Sequence, residues 1–319
     1  PIQGPPGTGK TFTGAHMIRA LVNAGKRVGV TAQSHAAISN LLQAVVERFD
    51  EEGDSHSLRA VRRGGGEVAG VRNVGNNKQA ATGDFNVIAG TTWLFTSEAM
   101  RDNPVDVLVI DEAGQLGLAD TMAATVSASN VILLGDPQQL PQVSQASHPG
   151  GAGASALEHL LGNELTVPPD RGVLLETTWR MHPDVCEFIS EVMYGGKLHS
   201  HESCVGQQAA GQTGLRWLRA EHEARSKSSV EEATIVVAKV EELLGQPWTD
   251  QNGDTRPLTV DDFMVVAPYN DQRRCIEAAL RANPATGGVE VGTVDKFQGQ
   301  EAAVVLFSMA TSSAEFMPR

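Results

Sequence analysis

Cysteine is scarce in this chain. The three that occur, Cys186, Cys204 and Cys275, lie far apart, and none belongs to a Cys-x-x-Cys pair. That spacing argues against a structural zinc or iron–sulfur site and fits a reducing, cytoplasmic setting. No apolar run approaches the length needed to span a bilayer. Basic charge is also short: 25 Lys and Arg against 38 Asp and Glu give a net charge of −13. A generic nucleic-acid binder shows a basic face, so this balance counts mildly against that class. It does not exclude an enzyme that grips a strand inside a cleft through backbone N–H groups, hydroxyls and a few basic side chains. The first residues carry no signal-peptide pattern.

What is present is a soluble, core-forming composition. The 319 residues suffice for two ordinary domains, and 41% are hydrophobic. Residues 4 to 11 read Gly4-Pro5-Pro6-Gly7-Thr8-Gly9-Lys10-Thr11, a complete G-x-x-x-x-G-K-T phosphate loop. The N–H groups of such a loop turn inward around a polyphosphate, at a helix N-terminus that also favours negative charge. Lys10 suits the β- and γ-phosphates of ATP, and the Thr11 hydroxyl suits Mg²⁺. Only Pro1, Ile2 and Gln3 precede the loop to supply its strand, which points to a segment of a longer protein.

Elements alternate along the chain. Thr11 to Val22 and His35 to Phe49 have helical spacing, the latter with Ile38, Leu41, Leu42, Val45 and Val46 on one side. Val28 to Thr31, Val87 to Ala89, Val105 to Ile110, Val131 to Leu134 and Val173 to Leu175 read as buried strands of a parallel sheet. Residues 50–86 are polar and Gly-rich and read as an insertion or small subdomain. Their basic residues Arg59, Arg62, Arg63, Arg72 and Lys78 read as a solvated surface, with a strand-contacting patch as the alternative. A second alternating set follows Trp179, with strands near Leu215, at Phe263 to Ala267, Val289 to Val294 and Val304 to Phe307, and helices at Val230 to Leu244 and Asp271 to Ala282. Residues 200–214 and 246–258 read as loops. The expected organisation is α/β, with one domain over 1–176 and a second over 177–319.

The strand Val107 to Ile110 runs into Asp111-Glu112-Ala113-Gly114-Gln115. A strand ending in Asp-Glu after a phosphate loop suits a pair in which Asp111 holds Mg²⁺ and Glu112 orients and deprotonates the attacking water. A second strand ends in Gly135-Asp136-Pro137-Gln138-Gln139-Leu140-Pro141. Adjacent parallel strands end beside a bound nucleotide, and the Gln139 amide is the candidate that senses the γ-phosphate.

Together these segments resemble motifs I, II and III of superfamily 1 helicases, in the Upf-like, Dna-type branch. Further matches follow in order. Thr31-Ala32-Gln33-Ser34-His35 resembles motif Ia, and Ala89-Gly90-Thr91-Thr92 a short strand-touching motif. Thr178-Trp179-Arg180-Met181-His182-Pro183 resembles the opening of the second core. Val266-Ala267-Pro268-Tyr269-Asn270 resembles motif IV, and Gly292 to Glu301, through Phe297-Gln298-Gly299-Gln300, resembles motif V. The resemblance implies two tandem RecA-like parallel-sheet domains of the P-loop NTPase kind, the second incomplete. It implies that Trp179 stacks on adenine, Arg180 acts as an arginine finger, and Glu301 contacts the ribose. Thr31, Ser34, Thr91, Thr92, Tyr269 and Thr293 are implied contacts to the nucleic-acid backbone.

The implied activity is ATP-driven, 5′-to-3′ movement on single-stranded nucleic acid, DNA favoured over RNA, in repair or nucleic-acid processing. The wording of motifs II and III also resembles bacterial proteins in which a RecB-like nuclease precedes the helicase. The alternatives are an ATPase switch that remodels proteins, and a P-loop scaffold that positions an attached nuclease without unwinding. The family's motif VI, with a second arginine finger, is not reached before Pro318-Arg319, so poor hydrolysis by this segment is expected.

Overall fold

The computed structural model describes residues 1–140, 153–297 and 299–313. Its contacts divide the chain into two compact units. One comprises Pro1–Trp179 with Ile189–His199, the other Arg180–Phe188 with the chain from Ser200 onward. Of the motif residues named above, Pro141, Gln298, Pro318 and Arg319 lie outside the described residues.

The first unit is built on eight parallel strands. They are β1 (Ile2–Gln3), β2 (Val28–Ala32), β3 (Ala60–Arg63), β4 (Val71–Val74), β5 (Val87–Gly90), β6 (Val105–Asp111), β7 (Ala128–Gly135) and β8 (Val173–Leu174), in the sheet order β4-β3-β5-β2-β6-β7-β1-β8. The central strands are apolar on both faces because both faces are covered. Val28, Val30, Val87, Val107 and Val109 meet Ile18 and Val22 of α1 (Lys10–Asn23) and Ile38, Leu41, Leu42, Val45 and Phe49 of α2 (His35–Glu51). The alternate residues Ile88, Leu108 and Ile110 pack on Leu94, Phe95, Met100 and Leu157 across the other face. Each fully buried Leu, Ile or Phe contributes roughly 1.5–3 kcal/mol.

β1 forms from only two residues, paired with β7 on one side and β8 on the other. Gln3 explains how so short a strand is anchored. Its fully buried amide accepts the Val167 N–H at 2.8 Å and donates to the Leu165 carbonyl at 3.1 Å.

Residues 50–86 join the main sheet as its outer strands β3 and β4 rather than standing apart. The reading of their basic residues as solvated fails at Arg62, which is 0% exposed. Its guanidinium donates to the carbonyls of Gly64 at 2.6 Å, Gly66 at 2.7 Å and His35 at 3.1 Å. Charge here closes a turn rather than meeting a ligand.

The second unit contains a parallel sheet with Phe263–Val266 between Glu290–Gly292 and Val304–Phe307. Helices Val230–Leu243 and Asn270–Arg281 cover it, with Val236, Val240, Ile276 and Leu280 packed on Phe263, Val265 and Val291. No strand forms at Leu215, which is exposed. The stretch 246–258, read as loop, is an antiparallel hairpin of Pro247–Thr249 and Thr255–Pro257. Strand pairing overrides its polar composition. Among the described residues, no helix is long and apolar enough to cross a membrane.

Arg62→Met is expected to lower unfolding stability by roughly 2–4 kcal/mol, because three carbonyls lose a charged donor. Urea denaturation of the two chains measures this; a loss within about 0.5 kcal/mol would mean the guanidinium bonds are dispensable.

Candidate functional site: a phosphate loop and two acidic turns

The loop from Gly4 to Gly9 leaves β1 and enters α1. Gly9 sits at the N-cap of α1 with φ 76°, in the left-handed region where a Cβ costs about 1–2 kcal/mol. No side chain caps α1, and its first turn holds no acidic residue. Its leading N–H groups and positive dipole end therefore suit an anion. The back of the loop is tied down. The Gly4 N–H donates to the Gly135 carbonyl at 2.9 Å, and the Trp179 N–H to the Gly7 carbonyl at 2.8 Å. The hydroxyls of Thr178 and Thr8 bond the Pro6 and Pro5 carbonyls at 2.9 and 2.8 Å. A loop held from behind keeps its shape before any ligand arrives.

β6 delivers Asp111 and Glu112 to the same end of the sheet. Lys10 Nζ lies 3.0 Å from Glu112 Oε2. Glu112 has φ 50°, unusual for a residue with a side chain, and its N–H donates to Asp111 Oδ1 at 2.9 Å. Asp111 is 4% exposed. Burial, and then the charge of Glu112, push its carboxyl up to about 6, against the opposing pull of Lys10 and the Glu112 N–H. The oxygen donors of Asp111 and Thr11 are the hard type that Mg²⁺ prefers, and a divalent cation would offset the cost of burying that carboxylate.

The turn after β7 closes on the turn after β6. The Ala113 N–H donates to the Leu134 carbonyl at 2.8 Å. A Cβ on Gly114 would stand 2.5 Å from the Asp136 carbonyl oxygen, so only glycine fits. Asp136 is buried and accepts from the Tyr194 hydroxyl at 2.6 Å and from Gln139 Nε2 at 3.3 Å. Burial, then Asp136, raise the Tyr194 phenol well above its usual value, so it remains a donor. Nothing in the sequence marks Tyr194 or Asp136 as partners. An aromatic ending an amphipathic helix, here Pro183–Tyr194, reads as core.

The remaining candidates are distributed as follows. Trp179 is 52% exposed, with its backbone on the phosphate loop. In the second unit Arg180 forms an ion pair with Glu301, so these two candidates bind each other. Thr31 is 0% exposed within β2, with its hydroxyl lacking a hydrogen bond. Ser34 caps α2, its hydroxyl accepting the Ala37 N–H at 3.1 Å. Thr91 and Thr92 are half-buried after β5, and Thr91 occupies a helix N-cap. Tyr269, at the N-cap of Asn270–Arg281, and Thr293, after Glu290–Gly292, are half-buried in the second unit.

The profile of the AAA_12 family, an AAA domain, matches residues 152–317, just over half the chain, and that of the AAA_11 family, also an AAA domain, matches 1–85 and 76–146. The chain is 27% identical to DNA replication ATP-dependent helicase/nuclease JHS1 of Arabidopsis thaliana, over 98% of this chain and 24% of that protein. It is 25% identical to DNA replication ATP-dependent helicase/nuclease DNA2 of Gallus gallus, over 98% of this chain and 31% of that protein. It is 26% identical to DNA-binding protein SMUBP-2 of Mus musculus, over 98% of this chain and 38% of that protein. The chain thus spans well under half the length of these relatives.

The folded Asp111 carboxyl titrates near 6, above the ordinary value of 3.8 that holds on unfolding. The folded state therefore binds the extra proton between those values, and this group's contribution to stability is lost as pH rises through about 6. Asp111→Asn is expected to flatten that fall and to be more stable at pH 7 by up to about 3 kcal/mol in the absence of ligands. Urea midpoints of both chains at pH 4, 5, 6 and 7 test it; parallel pH profiles would refute the assignment.

Proposed function

Because the chain belongs to the AAA_12 family of AAA domains, we propose that it is the motor core of an ATP-dependent helicase or translocase acting on single-stranded DNA. The observation that carries this reading is the Lys10–Glu112 pair at the mouth of an uncapped phosphate-loop helix, beside buried Asp111. The names of the relatives, a helicase/nuclease of DNA replication and a DNA-binding protein, support DNA as the strand. They give no support to a scaffold that never hydrolyses ATP. A nuclease elsewhere in the same parent chain, 5′-to-3′ movement and a cytoplasmic setting complete the reading. So does a division into motor domains near residue 176.

The chemistry follows from the side chains. The N–H groups of Gly7, Gly9, Lys10 and Thr11 would bind the phosphates, with Gly4, Pro5, Pro6 and Thr8 shaping the loop. A triphosphate competes for Lys10. As Lys10 turns from Glu112 to the phosphate oxygens, the Glu112 carboxylate is released to accept a proton from the attacking water. Mg²⁺ held at Thr11 and Asp111 would neutralise charge on the phosphoryl oxygens. Gln139 would donate to a γ-phosphate oxygen. Trp179 would stack on the adenine through its exposed face. Arg180 would act as the finger and Glu301 as the ribose contact, which requires their ion pair to open. The exposed or half-buried hydroxyls of Ser34, Thr91, Thr92, Tyr269 and Thr293 would hold strand phosphates without regard to sequence.

ATP hydrolysis by the full-length parent chain, assayed with single-stranded DNA, single-stranded RNA and neither, tests the reading, with DNA expected to stimulate most. Glu112→Gln should cut turnover by roughly 10²–10⁴-fold while leaving nucleotide affinity nearly intact. Lys10→Ala should weaken nucleotide binding itself. Turnover unchanged by Glu112→Gln would defeat the proposed base, and no response to any strand would defeat the motor reading.

A further inference from the structure

Asp136 is a buried carboxylate surrounded by neutral donors. Oδ2 accepts from the Tyr194 hydroxyl at 2.6 Å and from Gln139 Nε2 at 3.3 Å. Oδ1 accepts the Gln138 N–H at 3.1 Å and Gln3 Nε2 at 3.4 Å. Hydrogen bonds to an ionised acceptor are the strong ones, and the hydroxyl bond is the shortest of the four.

The carboxylate has no hydrogen to give, so it decides which way Gln139 faces. The NH₂ of that carboxamide must turn toward Asp136 and the carbonyl oxygen away from it. One amide hydrogen is then used. Among the described residues the second hydrogen and the Oε1 lone pairs have no further partner, which leaves them for one group able to accept and one able to donate. A γ-phosphoryl oxygen and a water molecule are such a pair. Tyr194 fixes the carboxylate that fixes this orientation. Core filling alone does not call for the arrangement, because a phenylalanine would fill the same space without burying a hydroxyl against a charge.

We infer that Tyr194 is a positioning residue for nucleotide hydrolysis, orienting the Gln139 carboxamide through Asp136 toward the transferring phosphoryl group and the attacking water. The inference rests on the nucleotide-hydrolysing reading of the site given above. Tyr194 and Asp136 need not touch the nucleotide; they set the angle at which Gln139 does.

The test is a binding comparison on this chain. Affinities for ADP and for ADP with aluminium fluoride, a mimic of the transferring phosphoryl group, are measured by calorimetry with Mg²⁺ present. Tyr194→Phe should weaken the mimic by about tenfold and change ADP affinity by less than about twofold. Asp136→Asn, which replaces one acceptor oxygen by a donor, should give the same split. In the Gln139→Ala background, adding Tyr194→Phe should cause no further loss, because its effect runs through the missing amide. Thermal midpoints recorded alongside separate this from a general loosening, which would weaken both ligands. Equal affinity of Tyr194→Phe and the unaltered chain for the mimic would overturn the inference alone. So would a full further loss in the Gln139→Ala background. Failure of the unaltered chain to bind ADP would overturn the nucleotide reading, and this inference with it.

Discussion

Three parallel strands, side by side in the order β6, β7, β1, end in turns that lean on one another through backbone groups. The placement of the candidate side chains in the first unit depends on that adjacency. The Gly4 N–H is held by the carbonyl of Gly135, and the Ala113 N–H by that of Leu134. Lys10, Asp111, Glu112 and Gln139 are thereby brought to one sheet edge, although they come from three distant parts of the sequence. A parallel sheet makes this arrangement available because all its strands end on the same side.

How legible the molecule was depends on whether a feature is local. The phosphate loop, the Asp111-Glu112 strand end and the apolar strands are written in consecutive residues, and the structure forms each of them. The exposure of a polar side chain is not local. Arg62 looks in sequence like its solvated neighbours Arg59 and Arg72, yet three carbonyls from a turn and from α2 enclose it. Thr31 belongs to a segment resembling a strand-contacting motif, but it is still inside β2, where a central strand is covered on both faces. The hairpin over 247–257 was hidden because its residues are polar and its stability comes from pairing, including Trp248 opposite Arg256.

Nonlocal pairs were the least visible. Tyr194 meets Asp136, and Arg180 meets Glu301, with no spacing rule linking either pair. Both involve a group expected to act on ligand or one bonded directly to such a group. The charges of Asp136 and of Arg180 are already satisfied within the fold, whereas the Gln139 amide bonded to Asp136 is only partly so. A satisfied group costs little to keep buried or ordered, and it must be given a better partner before it acts. The Lys10–Glu112 pair follows the same logic. Lys10 with Glu112, and Arg180 with Glu301, are thus each restrained by an ion pair.

Gly114 sits between the two acidic turns, where a single methyl group would stand 2.5 Å from the carbonyl oxygen of Asp136. It bears no side-chain functional group. Even the mildest replacement would wedge the two turns apart, with Glu112 on one side and Gln139 on the other. Damage there would take the form of lost alignment, so the tolerance of these two turns to evolutionary drift is set as much by their thinnest residue as by their charged ones.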